Sequence, residues 1–341
     1  MALGKLTPTY LAGIEIELRQ AVGRANGPDL EELHYIIAYH LGWEGEEAGP
    51  KARGKRIRPL LVLLTCAAAS GDASTDWQRA LPAAAAVELV HNFSLLHDDI
   101  EDNSPLRRGR PTVWARWGIP QAINTGDAMF VLAHLALSRL AETTSPGIAL
   151  QAANVLQSAC LHLTQGQYLD ISYENRSDLS LEDYWPMING KTAALLAACT
   201  ELGALAADVK SSTRTAYRDF GRDLGLAFQV LDDLLGIWGD AAKIGKSNAS
   251  DLVEGKKSLP VLYGLAQNGP FAQRWLEGPI TPADVPSLAV QLETEGARAY
   301  SQDTADRLTR QALYALTATQ PKGEAGEALM ELANQLLKRR A

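Results

Sequence analysis

Apolar residues recur along this chain three and four apart, the spacing of one buried helix face, and no convincing run alternates as a strand would. The pattern predicts a helical hairpin over 8–22 and 29–42, joined through Gly23, Asn26, Gly27 and Pro28. A loop rich in glycine and charge runs from Gly42 to Arg56, and a helix follows from Pro59 to about Ala69; Pro59 suits a first turn, where a missing N–H costs nothing. A long apolar helix is expected over 79–103, ending before Pro105 and the basic stretch Arg107-Arg108-Gly109-Arg110-Pro111. Helices are also expected near 119–142, 147–172, 181–208 and 211–238, the third capped by Ser180 with Asp183. The polar segment 240–258 reads as a loop over a functional surface. Pro270, Pro279, Pro282 and Pro286 crowd a second loop region, and helices near 297–318 and 324–339 close the pattern. Without a fixed-period repeat, one helical domain over 1–341 is the economical reading.

Composition narrows the chemistry. The 341 residues are 46% hydrophobic and 21% charged, a globular balance rather than a disordered one. A net charge of −8 argues against a nucleic-acid partner, which needs a basic surface. An acidic protein that handles phosphate must gather its cations locally or recruit metal. Cys66, Cys160 and Cys199 lie far apart in apolar sequence without disulfide or zinc spacing, so buried free thiols in a reducing cytoplasm are expected. Lys5, Glu15, Glu17 and Arg19 interrupt the first segment, which does not read as a signal peptide. Thr200 and Glu201 break the stretch from Ala193 to Ala207, so no membrane anchor is expected.

Two acidic clusters interrupt apolar helices. In His97-Asp98-Asp99-Ile100-Glu101-Asp102, Asp98 and Asp102 are four apart and share a face. Like charges this close repel, and a helix C-terminus is the wrong dipole end for them, so the cluster is destabilising unless a cation sits between the carboxylates. Magnesium suits it, being an oxygen-seeking ion that keeps waters and substrate phosphate oxygens. Alone, such a cluster is more often a solvated helix end; the arginines that follow directly favour metal and anion chemistry. The second cluster lies in Phe228-Gln229-Val230-Leu231-Asp232-Asp233-Leu234-Leu235-Gly236-Ile237-Trp238-Gly239-Asp240, where Gln229 and Asp232 are three apart. Two such sites on facing helices would hold metal on both sides of one diphosphate.

HDDIED followed by RRGRPT resembles the first aspartate-rich motif of the trans-isoprenyl diphosphate synthases, and FQVLDDLLGIWGD resembles the second. Gly54-Lys55-Arg56-Ile57-Arg58-Pro59, Gly166-Gln167 with Asp170, Lys191-Thr192, and Gly255-Lys256-Lys257-Ser258-Leu259-Pro260 are similar to further motifs of that family, in order. The resemblance implies an all-α fold, a single large antiparallel helical bundle around a central cavity, in a homodimer. It implies a prenyltransferase that ionises an allylic diphosphate (dimethylallyl, geranyl or farnesyl) and joins the cation to isopentenyl diphosphate. Magnesium, three ions bridging carboxylates and diphosphate, would be held by Asp98, Asp102 and Asp232, with Asp99 and Asp233 in support. Arg107, Lys191, Thr192, Gln229, Lys246 and Lys256 would surround the allylic diphosphate, and Lys55, Arg58, His91 and Arg108 the isopentenyl diphosphate. Asp98, Asp102, Lys191 and Asp232 are the expected catalytic residues. Taken alone, His91 on its apolar face reads as a hydrogen-bonded core residue; Lys55 and Arg58 in register favour the ligand role.

One departure stands out. The family's second motif usually carries a third aspartate where this chain has Gly236, so a ligand is lost there or Asp240 replaces it. Product length is read from Phe93, five residues before Asp98 and bulky enough to stop a growing chain, with small Ser94 beside it and no insertion between Asp99 and Asp102. This combination resembles synthases of the twenty-carbon product, geranylgeranyl diphosphate; farnesyl diphosphate or longer products are the alternatives. A terpene cyclase would not need Lys55, Arg58 and His91, a non-catalytic subunit would not need an intact first motif, and a His-Asp phosphohydrolase would want more histidine ligands.

Overall fold

The computed structural model describes residues 1–70, 76–239 and 250–338. Its longer helices are α1 (Ala2–Val22), α2 (Glu31–His40), α3 (Ile57–Ser70), α4 (Leu81–Glu101), α5 (Ile119–Ser138), α6 (Pro146–Tyr173), α7 (Leu181–Ile188), α8 (Ala194–Ala206), α9 (Ser211–Trp238), α10 (Leu259–Gln267), α11 (Val285–Thr294), α12 (Ala297–Ala318) and α13 (Gly323–Leu337). The class is all-α, as expected. Among the described residues, extended structure is confined to β1 (Leu106–Arg107) and β2 (Arg110–Pro111), an antiparallel pair. Arg108 and Gly109 between them both have positive φ, +55° and +82°, as a two-residue type I′ hairpin requires.

Contacts divide the chain into two compact units. The first comprises Met1–Gln157, Cys199–Arg214 and Gln320–Leu329; the second comprises Ser158–Ala198, Thr215–Thr319 and Met330–Ala341. In the first unit α4 packs along α5 and against α3 and α1. Its run Pro82–Leu89 is buried on every side, and a helix covered all round must be apolar all round. Glu88 is the one charge in that run and needs a partner. Gly203 lets α8 cross α3 at backbone distance, since a Cβ there would lie 2.8 Å from Thr65 Cβ.

In the second unit Ile237, Leu252, Val261, Phe271, Val285, Leu288 and Leu292 form a buried cluster. The proline-rich region expected as loop carries helices instead: Pro270 opens Pro270–Leu276 and Pro286 lies in the first turn of α11. Proline removes an N–H that the first turn leaves unused, so these prolines start helices rather than break them. The expected cap of α7 is present, with the Ser180 N–H and hydroxyl both donating to Asp183 Oδ2 at 2.8 and 2.7 Å. The single helix expected over 181–208 is interrupted by a π-helical turn, Asn189–Ala193. Cys66, Cys160 and Cys199 are free and buried, and burial pushes their thiols up to about 12, 11 and 12. Among the described residues no helix is long and apolar enough to cross a membrane.

Candidate active site

In the first unit the Gly-Lys-Arg segment is locked by its arginine. Gly54 and Arg56 both have positive φ, +75° and +49°, a conformation that a non-glycine residue holds only under constraint. The constraint is ionic: Arg56 Nε donates to Glu15 Oε1 at 2.9 Å and Nη1 to Glu88 Oε1 at 2.7 Å. Trp43 Nε1 donates to the other oxygen of Glu15 at 2.7 Å, and Asn92 Nδ2 to Glu88 at 2.9 Å. Fixing Arg56 in the interior leaves Lys55 exposed and Arg58 partly buried.

The basic hairpin docks onto this segment. Arg108 Nη1 donates to Ala52 O at 2.7 Å, and its guanidinium carbon lies 2.8 Å from where a Cβ on Gly54 would fall, so only glycine fits. Arg110 is buried, donating to Tyr39 O at 2.9 Å and Glu44 O at 2.7 Å with its guanidinium 4.0 Å above the Tyr39 ring. Arg58, Arg107 and Arg108 all act electrostatically on His91, which burial first and these cations next push well below its usual value. Both effects disfavour the charged imidazolium at His91, which lies beside cations suited to an anion. The structure thus brings Arg58, His91 and Arg108 together.

Neighbouring aspartates in each motif differ in burial. Asp98 lies on the last turn of α4 and Asp102 caps its C-terminus, half-buried and exposed respectively, whereas Asp99 is 2% exposed and accepts from Arg107 Nε at 2.7 Å. Burial raises the Asp99 carboxyl to about 6. In the second unit Asp232 is exposed, whereas Asp233 is buried among donors. Tyr184 OH donates to Asp233 Oδ2 at 2.7 Å, Leu259 N–H to the same oxygen at 3.0 Å, and Gln229 Nε2 to Oδ1 at 2.9 Å. Burial raises the Asp233 carboxyl to about 7. Successive helical residues differ by about 100°, so the two members of each pair differ in burial, although Asp232 and Asp233 both border one cavity. Of the expected supporting ligands, Asp99 gives Oδ1 to Arg107 and keeps Oδ2 without a hydrogen-bond partner, and Asp233 accepts from Tyr184, Leu259 and Gln229.

Asp232 and Asp233 line a cavity of about 210 Å³ within the second unit, together with Asp170, Lys191, Thr192, Gln229, Asp251, Lys256 and Lys257. Lys191 and Thr192 ride on the π turn, a distortion that often marks functional sites because it re-aims side chains. That turn is seated by glycine: a Cβ on Gly166 would lie 2.6 Å from Gly190 C and 2.8 Å from Met187 O. Lys191 Nζ pairs with Asp170, and Thr192 Oγ1 donates to Gln229 Oε1 at 2.7 Å. Lys256 pairs with Glu254 at 2.8 Å. Lys246 and Asp240 lie outside the described residues.

Among the described residues no three His, Cys, Asp or Glu side chains gather into a metal cage. Magnesium does not require one, since it commonly binds through one or two carboxylates plus substrate phosphate and water, so the outward carboxylates Asp98, Asp102 and Asp232 fit it. Sequence reading did not single out Glu88, His40, Tyr184 or Asp251. Glu88 carried a signal, as the sole charge in an apolar run; His40, Tyr184 and Asp251 had no local pattern to mark them.

A sequence model described as polyprenyl synthetase matches residues 47–283. The chain is 41% identical over 336 residues to a (2E,6E)-farnesyl diphosphate synthase of Mycobacterium bovis, covering 95% of this chain and 90% of the relative. It is 40% identical over 293 residues to a geranylgeranyl diphosphate synthase of Mycobacterium tuberculosis, covering 84% and 82%. Its fold is similar to the crystal structure of a polyprenyl synthetase from Streptomyces coelicolor, with TM-score 0.86, 35% identity, and 98% and 99% of the two chains covered. A geranylgeranyl pyrophosphate synthetase from Pyrococcus horikoshii gives TM-score 0.87 at 31% identity over 99% and 98%. The chain belongs to the polyprenyl synthetase family and is a trans-prenyl diphosphate synthase, a prenyltransferase of isoprenoid synthesis.

Proposed function

We propose that this synthase is magnesium-dependent and joins isopentenyl diphosphate to an allylic diphosphate, head to tail, with geranylgeranyl diphosphate as product. The observation that carries this reading is the cavity of about 210 Å³ in which Lys191, Thr192, Gln229 and Lys256 line the same walls as Asp232. Its size admits a diphosphate, and its lysines suit one.

Asp98 and Asp102 in the first unit and Asp232 in the second are the metal-holding carboxylates in this reading, steadied by the inward anchors Asp99 and Asp233. Bound magnesium supplies positive charge against the diphosphate as it leaves. The protein's own share is to place cations: Lys191, Thr192, Gln229 and Lys256, with Arg107 and Lys246, hold the allylic diphosphate. Lys55, Arg58, Arg108 and His91 hold isopentenyl diphosphate, His91 as a hydrogen-bonding group. Because ionisation leaves a cation that water would trap, these contacts also serve to exclude water.

The twenty-carbon product is supported by Phe93 and Ser94 ahead of Asp98, and fifteen carbons by the relative named farnesyl diphosphate synthase. We further propose that both units act as one catalytic domain, since the matched region 47–283 draws on both. A homodimer is supported by the exposed apolar side chains Ile119, Ile123, Val131 and Leu135 of α5. Buried free thiols fit a cytoplasmic setting. The test is an assay of purified protein with isopentenyl diphosphate and each allylic starter, with and without magnesium, product lengths being read out. A twenty-carbon peak that vanishes on chelation is expected; turnover unaffected by chelation would refute the magnesium reading. Asp98→Ala should abolish turnover with the helical spectrum intact.

A further inference from the structure

Gly236 lies one helical turn beyond Asp232 on α9, at the position where the motif lacks its third carboxylate. The space beside it is not empty. A Cβ on Gly236 would fall against the carboxylate of Asp251, 2.6 Å from Cγ and 3.2 Å from Oδ1. That carboxylate arrives from a different segment, the short helix Ser250–Val253, and its residue lines the same cavity as Asp232, Lys191 and Lys256. The Asp251 side chain is 14% exposed, with Lys256 Nζ 3.8 Å away, and Asp251 O accepts the Lys256 N–H at 3.0 Å. Asp233, which borders the same cavity, is held by three donors, Tyr184 and Leu259 on Oδ2 and Gln229 on Oδ1, whereas Asp251 fills the space beside Gly236 itself.

We propose that Asp251 stands in for the side chain missing at Gly236, as a carboxylate that works with Asp232 in holding magnesium against the diphosphate. Gly236 and Asp251 are then a matched pair, the absence of a side chain at one making room for the carboxylate of the other. Magnesium accepts such a group directly or through one of its waters. The inference rests on the magnesium reading of the site.

The experiment measures binding of inorganic pyrophosphate, with and without magnesium, by calorimetry, and thermal unfolding of the metal-free protein. The variants are Asp251→Asn, Gly236→Asp, and the double variant Gly236→Asp with Asp251→Gly. Asp251→Asn keeps the shape and should weaken magnesium-dependent pyrophosphate binding by about tenfold or more, the scale seen when a metal-supporting partner is lost. Gly236→Asp alone should lower the unfolding temperature, because two carboxylates collide. The double variant should recover both properties. Asp251→Asn binding magnesium and pyrophosphate as tightly as the wild type would overturn the inference, as would a double variant no better than Gly236→Asp alone. Wild-type protein that shows no magnesium-dependent pyrophosphate binding would overturn the magnesium reading itself, and this inference with it.

Discussion

The ring of Phe93 on α4 stands edge-on to that of Phe130 on α5, centroids 5.0 Å apart and planes at 70°. His97 flanks Phe93 at 5.7 Å and His134 flanks Phe130 at 4.6 Å, so four rings form one aromatic wall. Edge-to-face pairs hold rings more rigidly than burial alone, each contributing about 0.5–1.5 kcal/mol beyond area. A stop for a growing hydrocarbon would then be a supported ring rather than a single side chain. Phe93→Ala is expected to lengthen the product, read by chromatography of the hydrolysed prenols. An unchanged profile removes Phe93 from the ruler.

Glu88→Ala removes a buried partner of Arg56, with both side chains only 3% exposed. Uncompensated buried charge costs about 3–5 kcal/mol, so the urea midpoint should drop markedly. The KM for isopentenyl diphosphate should rise as the Lys55–Arg58 segment loosens, with Glu88→Gln milder in both respects. An unshifted midpoint would show that Glu15 alone holds Arg56.

His40 Nε2 is buried without a hydrogen-bond partner, and burial, with Arg107 and Arg108 nearby, lowers the imidazole to about 3. A histidine whose folded value is depressed stays neutral while the unfolded chain takes up a proton. Its contribution is therefore intact above pH about 6.5 and declines toward pH 3, by about 1.4 kcal/mol per pH unit. Asp99 and Asp233, raised in the folded protein, act in the opposite sense as pH falls through about 7 toward 4. Comparing His40→Gln with wild type cancels those carboxylates. The stability gap between the two should change in the variant's favour by about 2 kcal/mol from pH 7 to 5. A gap that stays constant would mean His40 takes up its proton in the folded state.

Gly166→Ala drives a methyl group into Gly190 and the Met187 carbonyl, both of them backbone and unable to swing aside. Overpacking of this kind costs about 1–3 kcal/mol, and the π turn carrying Lys191 and Thr192 must shift. Lower stability together with a higher KM for the allylic diphosphate is expected. Loss of stability with unchanged kinetics would mean the π turn holds its place regardless.

The sequence by itself determined most of the helices and the family of chemistry. Helix periodicity depends on neighbours three and four apart, so α4, α9 and the Ser180–Asp183 cap were legible from local spacing alone. The outward pair Asp98 and Asp102 followed from the same arithmetic. Spacing says which residues share a face, but not what that face meets. Tertiary packing alone decided that Asp99 and Asp233 turn inward, because their partners Arg107, Tyr184 and Leu259 come from other segments. It also decided that Pro270 and Pro286 begin helices, that Gly166 admits a π turn, and that Asp251, fifteen residues on from Gly236, fills the space its glycine leaves. Each of these depends on contacts between distant parts of the chain, which no local pattern encodes.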